Sequence, residues 1–296
     1  MKIKLPETKI ISYNALKTYM EKTGFALFAV EMRKETDGIV IIIPDDPFVA
    51  INKADRKVME FTRGEFWRWP AGGLLVTLEK KDSERISLVL LRDEKAPTYG
   101  GHMTACTGLG AGLEEALDPL LVMMREGLEE LVIAIEGQGI VLPVFSNMET
   151  GIDIDAIIDN GASLREETAD LPLIKCETSI LDLSGQQTIE VFWKGELRST
   201  SSSLIAIDKG VNGIDCLGAI KIKVPVDSWD ELEIFDGEVF GGGELLNRAV
   251  YGLRHRSNEP IALWKLGQFK EPTETEKQKL PRTEVLKVLL NAFDSE

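Results

Sequence analysis

Apolar and polar positions alternate or recur along this chain in patterns that predict a mixed α/β protein. Residues 13–23 form an amphipathic helix candidate, followed by apolar runs at 25–30 and 39–44. From residue 72 the pattern tightens into two short strand-like runs, 74–78 and 86–91, around the charged stretch 79–85, which predicts a hairpin. Residues 93–101, with Pro97, Gly100 and Gly101, read as a loop, and 102–107 as a further short strand. Further strands are expected at 139–145, 188–197, 204–208 and 217–224. Ser199 to Ser203 would be a turn or loop between two of them, too short for a domain linker. Residues 226–235 read as a loop with a helical turn, 244–254 as a helix and 283–293 as another, reached through a polar tether at 270–279. The acidic stretch 146–172 offers only a short helical candidate near Ile154.

The clearest punctuation surrounds the segment that follows residue 117. Asp118 is a good N-cap and Pro119 suits the first helical position, where its missing N–H costs nothing. Leu120, Met124, Leu128 and Leu131 recur at spacings of four, four and three, which predicts one buried stripe. Glu126, Glu129 and Glu130 fall at i, i+3 and i+4, so they share another face. Like charges at that spacing repel by a few tenths of a kcal/mol, and a bound cation would offset the repulsion. Carboxylate oxygens suit hard ions such as Mg2+ or Mn2+. Arg125, four residues before Glu129, can brace that carboxylate. The alternative is a helix face carrying solvated charges.

Composition sharpens this. Lys and Arg number 34 against 49 Asp and Glu, a formal net charge of −15. That balance argues against general nucleic-acid binding, so a phosphate-bearing ligand would need local cations or metal. Cys106, Cys176 and Cys216 lie far apart with no CxxC pair, so they read as buried small hydrophobes and not as a disulfide or zinc framework. No apolar run approaches the length of a spanning helix. A cytoplasmic protein without membrane association is the expectation.

The hairpin ending in Leu90-Leu91-Arg92, the loop, the Asp-Pro helix start and Arg125-Glu126-x-x-Glu129-Glu130 together resemble the Nudix hydrolases. Ile133 matches the closing apolar position. Counting back from Arg125, the family's earlier glutamate falls on Leu117 and its first glycine on Ala111; Gly110, Gly112, Glu114 and Glu115 stand nearby. Gly127 occupies an apolar position of the motif and Val132 a glycine one. The resemblance implies an α/β/α sandwich around a mixed sheet over residues 66–268, with an N-terminal addition at 1–65 and a polar segment with a C-terminal helix at 269–296. It further implies a Mg2+ or Mn2+ site on Glu126, Glu129 and Glu130, with Arg125 as structural partner. The expected activity is hydrolysis of a diphosphate linkage in a small-molecule phosphate ester or nucleotide, here a nucleoside diphosphate derivative. The other reading is a non-catalytic nucleotide-binding or regulatory module on the same fold. A homodimer stays open.

Other residues are secondary. Arg92, Lys95 and Tyr99 precede the motif, where they could meet substrate; solvated loop charges and ordinary packing are the alternatives. Glu231, Glu233 and Glu238 lie where a further carboxylate of the family would fall. His102 and His255 show no metal-type spacing. Trp67 and Trp69 read as packing residues, Gly241 to Gly243 as a flexible turn, and Ser163 to Glu167 as a helix cap with surface charge.

Overall fold

The computed structural model describes residues 3–4, 10–11, 27–43, 48–49, 60–61, 67–96, 99–109, 113–145, 172–181, 187–208, 213–236, 248–278 and 280–294. These residues are mixed α/β, mostly strand with few helices. The principal elements in chain order begin with β1 (Leu27–Lys34), β2 (Gly38–Ile43), β3 (Trp67–Trp69), β4 (Ala71–Glu79) and β5 (Arg85–Leu91). Next come β6 (Met103–Thr104), β7 (Cys106–Leu109), α1 (Leu113–Leu117), α2 (Pro119–Glu130), β8 (Leu131–Ile135) and β9 (Gly139–Phe145). Then follow β10 (Leu173–Ile180), β11 (Gln187–Trp193), β12 (Glu196–Asp208), β13 (Gly213–Lys223) and β14 (Leu232–Asp236). The series closes with β15 (Val250–Arg254), β16 (Pro260–Lys265), β17 (Gln268–Lys270) and α3 (Glu284–Asp294). No helix among the described residues is long and apolar enough to cross a membrane. The helix candidates at 13–23 and near Ile154, together with Gly241 to Gly243 and Ser163 to Glu167, lie outside the described residues.

The chain divides into two compact units, each discontinuous in sequence. Unit 1 comprises Met1–Gly72, Gly108–Met123 and Gly185–Leu217. In it β1 and β2 pair antiparallel, and β2 pairs parallel to β11 with Ile39, Ile41 and Ile43 opposite Ile189, Val191 and Trp193. Alternate residues of β2 are buried, the period-two signature of a strand with one covered face. The run expected as one strand over 188–197 is instead a hairpin. Lys194 and Gly195 both take positive φ, 52° and 73°, the two-residue turn whose twist matches flanking strands. The serine run expected as a turn is interior to β12, where Ser199, Ser201, Ser202 and Ser203 pair with Val191, Ile189, Thr188 and Gln187. Serine is a weak strand former, but the ladder across the hairpin fixes it. Trp69 is fully buried and donates its indole N–H to the carbonyl of Ala116 at 2.7 Å.

Unit 2 comprises Gly73–Thr107, Met124–Ser184 and Gly218–Glu296. The expected hairpin over 74–91 forms, with β4 and β5 antiparallel and Val76 opposite Leu88. Its charged end is an ionic cluster: Glu79 is held by both Arg85 and Lys221. β5 also pairs with β15, which pairs in turn with β16. Residues 250–254, expected as the end of a helix, are therefore strand. Pairing on both edges outweighs the helical spacing of Ala249 and Leu253. A Cβ on Gly252 would lie 3.0 Å from that of Ala262 and 2.8 Å from Ile86 Cδ1, so the close strand approach uses a glycine.

The strand expected at 102–107 divides into β6 and β7. Strand β10, not anticipated, runs parallel to β9, with Ile140 opposite Leu173. The C-terminal helix forms as expected, with the Thr283 hydroxyl accepting the Leu286 amide at 3.2 Å in an N-cap. Val285, Leu286, Leu289, Leu290 and Phe293 are buried, which gives one apolar face at helical spacing. The segment leading to it is fixed. Thr273 and Glu276 exchange the bonds of a capping box, with the Thr273 amide on Glu276 Oε2 at 3.0 Å and the Glu276 amide on the Thr273 hydroxyl at 3.3 Å.

Candidate functional site

Helix α2 opens as its sequence requires: Asp118 Oδ1 accepts the amide of Leu120 at 3.1 Å. Burial raises the Asp118 carboxyl above its ordinary range, opposed by that hydrogen bond. The buried stripe differs from the expected one. Pro119, Val122, Met123, Glu126 and Gly127 are buried, at spacings of three, one, three and one, whereas Leu120 is only half-buried; Leu131 is buried as expected but begins a strand, and the side chain of Leu128 is outside the described residues. Met124 is buried as expected. Steric fit explains the choice of face. In unit 1, a Cβ on Gly72 would lie 3.0 Å from Met123 Cγ; in unit 2, a Cβ on Gly127 would lie 2.3 Å from Leu74 Cδ2. A helical glycine costs roughly 1 kcal/mol relative to alanine. Here that cost accompanies close approach of α2 to Leu74.

Burial of this stripe carries Glu126 inward, to 7% exposure. A buried carboxylate needs a partner, and Arg125 Nη2 lies 2.9 Å from Glu126 Oε1. Glu130, the final residue of α2, is paired to Arg248, whose Nη2 donates to Oε2 at 2.8 Å. Carboxylates at a helix C-terminus oppose the helix dipole, and α2 has no basic residue in its last turn. Arg248 supplies the compensating charge from a distant part of the chain. Both side chains of that pair are nearly buried, at 10% and 13% exposure. The four residues all belong to unit 2. Glu129 lies in the same helical turn as Glu130, and its side chain is outside the described residues.

The donor chemistry is all oxygen and anionic, which fits a hard divalent cation. Of the three carboxylates expected to hold a cation, Glu126 is paired with Arg125 and Glu130 with Arg248. Among the described residues no group of three His, Cys, Asp or Glu side chains converges on one point. Glu114 and Glu115 fall on α1, in unit 1. Glu231 lies in a 3-10 turn and Glu233 on β14 opposite Ala134, while Glu238 is outside the described residues.

Arg92, Lys95 and Tyr99 share one closed loop. The Arg92 amide donates to the His102 carbonyl at 3.0 Å, the Gly101 amide returns to the Arg92 carbonyl at 3.2 Å, and Asp93 Oδ1 accepts the Lys95 amide at 2.6 Å. The Tyr99 ring meets His102 edge-on at 5.6 Å. Lys95 is exposed. Cys106, Cys176 and Cys216 are buried thiols, none of them in a disulfide.

Sequence reasoning missed Arg248. It stands 118 residues from Glu130, inside a run that reads as helix, and no local pattern links the two. It also missed Asp236, which the antiparallel register of β8 and β14 sets opposite Leu131, the residue next to Glu130. The strand-like hydropathy of residues 232–235 was the available signal. No protein-family model, curated protein or solved structure matches this chain.

Proposed function

We propose that this chain is a metal-dependent hydrolase of a diphosphate linkage in a nucleoside diphosphate derivative, with a Nudix-like sandwich around its sheet. The observation that supports the reading is that Glu126 and Glu130 lie one turn apart on the same helix, with Arg125 braced against Glu126 at 2.9 Å. The Arg125 guanidinium orients the Glu126 carboxylate. Glu126, Glu129 and Glu130 would hold Mg2+ or Mn2+, which when bound supplies charge neutralisation at phosphoryl oxygens and an activated water. Arg125 fixes the rotamer of Glu126. Lys95 would meet a substrate phosphate, with Arg92 beside it, and Tyr99 would contact the base. A cytoplasmic setting belongs to the proposal, in keeping with three buried cysteine thiols.

The test is turnover of a panel of diphosphate substrates with Mg2+ or Mn2+. Glu126→Gln, Glu129→Gln and Glu130→Gln should each lose on the order of 100-fold in kcat while the fold is retained.

A second reading, a non-catalytic nucleotide-binding or regulatory module, is favoured by one observation. The Arg248 guanidinium already stands against Glu130 where a cation would compete for the same oxygen. Metal and nucleotide binding without any turnover by the wild type would decide for it.

A further inference from the structure

An open cleft of about 320 Å3 in unit 2 is lined by Ser83, Glu84, Arg85, Arg254, His255 and Arg256. None of these residues belongs to α2 or to the loop before it. Three arginines around one cleft stand out in a chain of net charge −15. Their acidic neighbours are shared with other groups, and Asp294 also faces His255, with Oδ1 3.7 Å from Nδ1. Glu84 is held by Lys80 at 2.5 Å and by the Trp229 indole at 3.1 Å, and Glu79 by Lys221 as well as Arg85. Asp294 accepts the Arg256 amide at 2.9 Å and the Asn258 side chain at 2.8 Å. Arg254 meets Glu259 only at 3.6 Å, with both side chains about half exposed. Among the described residues the Arg256 guanidinium has no ion pair.

The backbone presents these groups deliberately. Ser83 and Arg256 both take positive φ, 69° and 67°, a conformation that non-glycine residues keep only when their surroundings enforce it. For Arg256 the enforcing bond is its amide to Asp294. For Ser83 it is the amide bond to the Lys80 carbonyl at 2.9 Å.

We propose that this cleft binds a small phosphomonoester, with Arg254 and Arg256 on the phosphate and Ser83 and His255 beside it. Planar guanidinium forks match phosphate oxygens in pairs. The volume lies at the low end of small-molecule pockets, roughly 300–1,000 Å3, so there is room for a compact organic body as well as the phosphate. Burial and the nearby Arg85 lower the His255 pKa, opposed by Asp294 and reinforced by Arg256. A dianion placed there raises it again.

His255 is therefore also the reporter. The chain holds two histidines, so the ring signals of the full-length protein are assignable by NMR with His102 as internal control. Glycerol 3-phosphate, inorganic phosphate and sodium chloride at matched ionic strength are titrated separately near neutral pH. The expected result is saturable movement of the His255 signals and an upward shift of its pKa with glycerol 3-phosphate, weaker binding of free phosphate, and a still His102. Arg256→Gln and Arg254→Gln should each weaken binding about tenfold, equivalent to about 1.4 kcal/mol. Equal affinity for free phosphate overturns the organic part of the ligand. A response no different from chloride, or one unchanged in folded Arg256→Gln protein, overturns the site.

Discussion

Arg248 reaches across 118 residues of sequence to place Nη2 2.8 Å from Oε2 of Glu130. Both side chains are nearly buried, so neither charge can be left alone cheaply. Arg248→Ala should destabilise the protein by on the order of 3 kcal/mol, read from urea unfolding. Arg248→Ala combined with Glu130→Gln should cost clearly less than the two changes added. Simple additivity would show that the pair is not coupled.

Gly127 and Leu74 form a second close relationship. Gly127→Ala gains helix propensity but forces the Leu74 terminus aside, and overpacking of this kind costs about 1–3 kcal/mol. The net expectation is a destabilisation of about 1 kcal/mol. Leu74→Ala in the same chain should abolish the penalty of the added methyl group, a coupling that a double-mutant cycle measures. An unchanged unfolding midpoint in Gly127→Ala would contradict the contact.

At the β11–β12 turn, Gly195 sits at φ 73° with open space around its missing Cβ. Gly195→Ala should therefore lose about 1 kcal/mol through backbone conformation alone, without any clash. Retained stability would mean that the turn relaxes to another type, visible as a change of amide exchange along β12.

Glu276 is lowered from the ordinary carboxylate range to about 2 by the Lys265 side chain, followed by the Thr273 amide and hydroxyl. Its folded pKa lies below the unfolded one, so its contribution is full above the ordinary range and is lost as pH falls towards about 2. The group is exposed, and solvent screening keeps the contribution small. Wild type should exceed Glu276→Gln in stability near neutrality, and the difference should vanish progressively between pH 4.5 and about 2. A difference that persists at the acid end would assign the effect to shape and not to charge.

Local signals carried much of this architecture. Asp118 and Pro119 announce the start of α2, the charged stretch before Arg85 announces the β4–β5 hairpin, and Thr283 opens α3 as its position suggests. Nonlocal choices were not visible. Leucine spacing in α2 pointed to Leu120 as a buried position, but the sequence held no sign that Leu74 would need the space beside Gly127. Once that face turns inward Glu126 goes with it, and Arg125 becomes its partner. The Lys194-Gly195 turn was hidden within a run of strand formers. Arg248 could not be linked to Glu130 because only the folded chain brings them together.

Strand β6 and the segment that enters helix α3 meet through backbone bonds: the Met103 amide donates to the Pro281 carbonyl at 2.8 Å and the Thr283 amide donates to the Met103 carbonyl at 3.0 Å. Thr104 and Thr283 are 179 residues apart. A ribosome adding roughly 5–20 residues per second needs on the order of 10–40 s to make that interval. Throughout it β6 has its pairing with β5 but not its bonds to residues 281–283, and nascent chains stalled before residue 281 should engage holding chaperones that released full-length chains do not.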